Sequence, residues 1–138
     1  MTVADIMTKE VIMIGMDDSL QAIHKMFEKH KFHHVLVMEN EELVGVISDR
    51  DVLRKISPFI NTLSETFRDL GTLNTKAHQI MTRKPIAVDE NTDVESAASI
   101  FLTKNVSCLP VVSPAGEVKG ILSWKDVLRF SLQNVVRR

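Results

Sequence analysis

Apolar positions along the chain follow two alternating patterns, short runs and helical stripes. Val11 to Ile14 is a short apolar stretch of strand type. Leu20, Ile23 and Phe27 follow at the three-and-four spacing of one helix face, with Asp18 ahead of them and Gln21 placed to complete a cap. Val35-Leu36-Val37-Met38 and Leu43 to Ile47 are two further apolar runs, separated by a turn of hairpin length, and a last helix opens near Ser48. The second half of the chain passes through the same patterns. Pro85 to Val88 reads as a strand, and Thr92 with Glu95 forms a capping box ahead of the stripe Val94, Ala97, Ala98 and Phe101. Leu109-Pro110-Val111-Val112 and Val118 to Leu122 suit a second hairpin, and a helix opens near Ser123. The predicted order is strand, helix, strand, strand, helix, twice over.

The two halves also share residues. Ile6-Met7-Thr8 returns as Ile80-Met81-Thr82, and Gly45-Val46-Ile47-Ser48-Asp49-Arg50-Asp51-Val52-Leu53-Arg54 returns as Gly120-Ile121-Leu122-Ser123-Trp124-Lys125-Asp126-Val127-Leu128-Arg129. The offset is 74 early and 75 late, and the extra residue falls in a turn, where Glu39-Asn40-Glu41 faces Ser113-Pro114-Ala115-Gly116. These features divide the chain into a first repeat over 1–56, a linker over 57–76 and a second repeat over 77–138. In the linker, Ser57-Pro58 ends the preceding helix. Thr62 and Glu65 then have capping spacing, Leu63, Phe67 and Leu70 helical spacing, and Gly71 is a stop, which together predict a short amphipathic helix. A unit of about 50 residues is marginal alone. The expected architecture is therefore mixed α/β (α+β): two β-α-β-β-α units that bury their sheet faces against each other in one intertwined domain with pseudo-twofold symmetry.

Composition narrows the function classes. The 138 residues are 44% hydrophobic and 25% charged, which fits one ordinary soluble domain or two very small ones. The net charge of −1 argues against a nucleic-acid surface. Cys108 is the single cysteine, so a disulfide scaffold is ruled out, and at the start of a buried strand it acts as a small hydrophobe. No apolar run reaches the roughly 18–20 residues that a membrane span needs, and no signal-peptide pattern opens the chain. A cytoplasmic protein without membrane insertion is expected. The seven methionines are expected in the core.

Ser48 with Asp51, and Ser123 with Asp126, are the strongest candidates for chemistry. One reading is purely structural. Ser-x-x-Asp resembles a capping box, in which each side chain satisfies a backbone N–H of the first helical turn. The other reading is a ligand site. A glycine recurs at the end of each preceding strand, Gly45 and Gly120, and would let a ligand approach the backbone closely. A helix N-terminus favours an anion, a hydroxyl there can bond phosphate, and a carboxylate one turn on can accept from two ribose hydroxyls. Arg50 and Lys125 stand nearby as counter-charges, whereas Arg54 and Arg129 read as solvated helix surface.

The two Gly-x-x-Ser-x-x-Asp blocks, the two Ile-Met-Thr openings and the run Leu109-Pro110-Val111-Val112 closely resemble a CBS-domain pair, also called a Bateman module, from Val3 to about Phe130. The resemblance implies two clefts between the repeats that take an adenosine ligand: AMP, ADP, ATP or S-adenosylmethionine. It places Ser123 and Asp126 opposite Thr8 and the backbone near Met13, and Ser48 and Asp51 opposite Thr82 and the backbone near Ala87. The serine contacts phosphate and the aspartate contacts ribose. It further implies a stand-alone, energy-sensing regulatory module that pairs into a homodimer through its helices and signals to a separate effector protein. No obligatory cofactor and no catalytic residue are expected. The first repeat departs from the family run, with Leu36 where the second has Pro110 and with His33 and His34 ahead of it. This alters the adenine-side wall of one cleft, and Trp124 replaces Asp49 between the key residues of the second motif. The indole can stack on a base or pack against the neighbouring helix.

Other readings compete. His24, His30, His33, His34 and His78 invite a metal, but no carboxylate or cysteine pattern accompanies them, and His33 and His34 point to opposite faces of a strand. No metal site is expected. A ligand-free dimerisation or interaction module would use the two Ser-x-x-Asp pairs only as caps. A small nucleotide-hydrolysing enzyme would need a general base and usually a metal, and neither is recognisable.

Overall fold

The computed structural model describes residues 1–56 and 71–137. They form two compact units, and each draws on both sequence repeats. A central unit spans Ile12–Lys84, and a terminal unit combines Met1–Val11 with Pro85–Arg138. The Ile80-Met81-Thr82 tripeptide therefore lies in the unit built around the first repeat's strands, and Ile6-Met7-Thr8 lies in the unit built around the second's.

In the central unit, β1 (Met13–Gly15) leads to α1 (Leu20–Lys29), β2 (His34–Glu39), β3 (Glu42–Ser48) and α2 (Asp49–Lys55). A 3-10 turn (Thr72–Asn74), α3 (Ala77–Ile80) and β4 (Thr82–Arg83) complete it. The strands lie in the order β1-β2-β3-β4. β1 runs parallel to β2, with Met13 opposite Leu36, while β3 is antiparallel to β2 and β4 to β3. Asn40 and Glu41, at φ 49° and 66°, make the two-residue left-handed turn that matches the twist of a hairpin. The core gathers Ile14, Leu20, Ile23, Val35, Val37, Ile47, Val52, Ala77 and Met81.

The terminal unit repeats that topology with shorter pairings. A four-residue helical turn, α4 (Val3–Ile6), precedes Thr8; α5 (Val94–Lys104), β5 (Cys108–Val112), β6 (Val118–Ser123) and α6 (Trp124–Arg137) follow in the second repeat. β5 and β6 pair antiparallel. Single bridges flank them: Val88 lies parallel to Val111, where the central unit has β1, and Thr8 lies antiparallel to Ile121, where it has β4. The stretch Pro85 to Val88, predicted as a strand, thus contributes one paired residue. Val3, Ala97, Phe101, Leu109, Val111 and Leu122 form the core of this unit.

Several local expectations shift. Ser19, not Asp18, caps α1 by accepting from Ala22 N–H at 3.2 Å, while Asp18 turns back to accept from Gly15 N–H at 2.8 Å. Asp93, not Thr92, caps α5 through Ser96 N–H at 3.1 Å. The caps sit one residue later than predicted in both repeats, directly before the first buried residue of each stripe, Leu20 and Val94. Ser96 also donates its hydroxyl to Asp93, and these bonds hold the Asp93 carboxyl below its usual range. The short turns α3 and α4 were not predicted. Their signal is a capping pattern, Thr2 with Asp5 and Lys76 with Gln79, in which the second side chain accepts from the first backbone N–H at 2.9 and 2.8 Å. Met1 and Met13 are exposed at 67% and 51%, so the expectation of an all-core methionine set fails for them. The expected linker helix, with Thr62, Leu63, Glu65, Phe67 and Leu70, lies outside the described residues. Gly71, its expected stop, has right-handed backbone geometry and runs into the 3-10 turn.

The structure gives the recurring glycines a packing cause. At Gly120 a Cβ would stand 2.7 Å from the Thr8 carbonyl oxygen, and at Gly45 it would stand 2.4 Å from Met81 Sδ. The docked Ile-Met-Thr segment makes a close approach at both positions. The Thr8 carbonyl is held by Ile121 N–H at 2.9 Å, and Thr8 N–H donates back to the Ile121 carbonyl at 2.9 Å, so this backbone cannot give way. At Gly45 the Met81 Cγ and Cβ would also stand at 2.8 and 3.0 Å, and Met81 is buried in the core, so turning its thioether relieves only part of the clash. Gly120→Ala and Gly45→Ala should therefore each cost about 1–3 kcal/mol in thermal or urea unfolding, the usual range for overpacking. A neutral Gly120→Ala or Gly45→Ala would show that the segment does not dock as described.

Candidate functional site

In both units a strand ends at the motif serine and a helix starts on the next residue. Ser48 closes β3 before α2, and Ser123 closes β6 before α6. In the central unit, Ser48 N–H donates to Asp51 Oδ2 at 2.9 Å and Asp51 N–H donates to Ser48 Oγ at 3.1 Å. This is a complete capping box, so the structural reading of the pair holds. Arg54 Nη1 lies 4.0 Å from Asp51 Oδ1, and the Asp51 side chain is 28% exposed.

The terminal unit builds a tighter version. Asp126 is 5% exposed. Its Oδ2 accepts from Ser123 N–H at 3.0 Å and from Ser123 Oγ–H at 3.2 Å. Thr8 Oγ1 donates to both carboxylate oxygens at 3.3 Å, and Arg129 Nη1 stands 3.6 Å from Oδ1. A buried carboxylate is costly unless its lone pairs are met, and here donors from three residues meet them. Arg129, read from the sequence as plain helix surface, is thus a partner of Asp126 despite an exposure of 66%. The signal was its position three residues after Asp126.

The remaining candidates divide between the units. Thr8 reaches Asp126. Thr82, exposed in β4 opposite Val46, makes no hydrogen bond to Asp51 among the described residues. Arg50 and Lys125 are exposed. Pro110 is buried in β5 with its Cα opposite Ile121. Met13 belongs to the central unit and Ala87 to the terminal one, each in the unit other than that of the Ser–Asp pair with which the resemblance associates it. Trp124 packs at 5.2 Å against the ring of Phe101 on α5, the neighbouring-helix alternative, and remains 45% exposed.

The first motif carries imidazoles that the second lacks. His33 Nδ1 lies 2.8 Å from Asp49 Oδ2, and Asp49 N–H donates to the His33 carbonyl. His34 pairs across the hairpin with Ser48. Burial pushes the His34 pKa below its ordinary value and His33 adds to the effect, while Asp49 and Asp51 oppose it. Among the described residues, no three His, Cys, Asp or Glu side chains converge as a metal-ligand set. No helix among them is long and apolar enough to cross a membrane.

With fold and motif geometry in place, comparison with known proteins defines the class. The CBS domain family model matches residues 3–58 and again 77–133, and the chain belongs to that family. It is a tandem CBS pair. A CBS domain-containing protein of Dictyostelium discoideum is 30% identical over 128 residues, covering 91% of this chain and 88% of that protein. The crystal structure of CBSX2 in complex with AMP superposes with a TM-score of 0.78 at 29% identity, over 99% of this chain and 98% of that one. The CBS domain pair of protein MJ0100, in complex with 5′-methylthioadenosine and S-adenosyl-L-methionine, superposes at 0.80 with 25% identity, over 97% and 98%. Some curated relatives are longer: the chain spans 56% of full-length CBSX2 of Arabidopsis thaliana.

The lowered pKa of His34 has a consequence for stability. A histidine kept neutral in the fold leaves stability intact above its unfolded value and removes it as pH falls below about 6.5, where the unfolded chain takes up the proton. The melting temperature should decline between pH 7 and 5. His34→Gln should flatten that decline. An unchanged slope in the variant would remove His34 from the account.

Proposed function

We propose that this CBS pair is a non-catalytic regulatory module that binds an adenosine ligand at its two Ser–Asp pairs and signals to a separate effector protein. The observation that carries the reading is the same strand-end serine and first-turn aspartate in both units, in a chain that superposes over nearly its full length on pairs crystallised with adenosine compounds. AMP carries an anionic 5′-phosphate, S-adenosylmethionine a cationic sulfonium, and 5′-methylthioadenosine no charge at that position. Adenine and the ribose diol are what they share. Asp51 and Asp126 therefore supply the common element, accepting the two ribose hydroxyls. Ser48 and Ser123 bond the 5′-substituent. Arg50 and Lys125 add charge when that substituent is phosphate. Thr8 borders the Asp126 site and Thr82 the Asp51 site, the family resemblance adds the backbone near Met13 to the first and near Ala87 to the second, and Pro110 shapes the base side.

Homodimerisation is part of the same reading. Trp124, Leu128 and Leu132 recur every four residues along α6 and are 45%, 59% and 60% exposed, and Leu102 on α5 is 75% exposed. An apolar stripe of this kind on a helix suits a second copy of the chain.

Isothermal titration calorimetry with AMP, ADP, ATP and S-adenosylmethionine tests the ligand. Binding of at least one at millimolar concentration or below is expected, and Asp51→Ala and Asp126→Ala should each remove one site. No binding of any of the four would leave the capping boxes as the sole role of these residues and favour an interaction module. Light scattering tests the second point: a dimer is expected, and Leu128→Glu with Leu132→Glu should give a monomer. An unchanged mass would move the interface elsewhere.

A further inference from the structure

The two carboxylates differ in what a ligand must displace. Asp126 receives the Ser123 N–H, the Ser123 hydroxyl and the Thr8 hydroxyl, the last shared between both oxygens, with the Arg129 guanidinium at 3.6 Å. A carboxylate offers about four lone-pair sites, and three hydrogen-bond donors beside a guanidinium leave little of that capacity free. Among the described residues, the Asp51 bonds involve no hydroxyl donor. Its Oδ2 accepts the Ser48 N–H, and its Oδ1 faces only the more distant Arg54, among the described residues. The serines are also used in opposite senses. Ser48 Oγ accepts from Asp51 N–H, whereas Ser123 Oγ spends its proton on Asp126. Exposure follows the same division, 28% for the Asp51 side chain and 5% for Asp126.

A vicinal diol brings two O–H donors. At Asp51 it finds acceptor capacity already turned outward. At Asp126 it must first displace the hydroxyls of Thr8 and Ser123 from the carboxylate. We infer that the two sites fill in order, with Asp51 first, and that Thr8 is the residue that holds the Asp126 site closed. The inference rests on the adenosine reading and extends it to regulation. Thr8 lies in the segment that bridges to Ile121, so occupancy of Asp126 is coupled to release of the Thr8 side chain, whereas occupancy of Asp51 requires no such release.

A titration of the isotope-labelled chain with 5′-AMP, followed by amide NMR, tests the order directly. The Ser48 and Asp51 amides should saturate at about tenfold lower ligand concentration than those of Ser123 and Asp126, the difference equivalent to one hydrogen bond to a charged group. In an Asp51→Ala background, which leaves the Asp126 site, Thr8→Val should tighten 5′-AMP binding about as much. Asp51→Asn serves if the alanine variant does not fold. Simultaneous saturation of the two sets of amides, prior saturation at Asp126, or a Thr8→Val change that leaves binding the same or weaker overturns the inference while leaving the adenosine reading in place. No response to AMP, ADP, ATP or S-adenosylmethionine at either site overturns both.

Discussion

The docking of each Ile-Met-Thr segment against the sheet built by the other repeat is the constraint on which the rest of the structure depends. Each unit gains its fourth paired position only from that segment: Thr82 beside Val46 in the central unit, Thr8 beside Ile121 in the terminal one. The docking demands glycine at 45 and 120, because a Cβ at either position would collide with Met81 or with the Thr8 backbone. It also carries apolar side chains into place, since Val3 and Met81 belong to the buried cores of the units they join. A repeat of this length buries too little apolar surface alone, and borrowing a segment from the other half enlarges each core.

The hairpins position the motif residues. β3 and β6 run on past the docked segment to Ser48 and Ser123, paired there with His34 and Cys108, and the chain then turns directly into a helix. The aspartate three residues on satisfies the serine N–H, so the bonds that start the helix also hold the carboxylate in place. What differs between the units is the third partner. Thr8 reaches Asp126, Thr82 does not reach Asp51, and near-identical motifs thereby acquire different availability.

Much of this was legible in the residues. The internal repeat, the order of strands and helices, the hairpin turns and the two Ser–Asp pairs follow from short-range patterns with periods of two and 3.6 residues. The helix starts at Ser19 and Asp93 were displaced by one residue because two adjacent side chains could each cap, and only the burial of Leu20 and Val94 decides between them. The strand at Pro85 to Val88 is reduced to the single bridge of Val88 with Val111, while its counterpart β1 keeps three paired residues. At Gly45 and Gly120 the sequence marks that space is needed without naming the protein atoms that press there.

By itself the sequence determined that two copies of one β-α-β-β-α unit make up the chain, that each copy starts its last helix with a Ser-x-x-Asp box, and that the family is that of CBS pairs. Those properties rest on local spacing and repeated residue types. Only the tertiary structure decided that the compact units cross the repeats, that methionine and backbone press on Gly45 and Gly120, and that Asp126 is buried under Thr8 across 118 positions of chain. Contacts between residues so distant leave no periodicity in the sequence, because they are set by which surfaces remain unpaired once the local elements have formed.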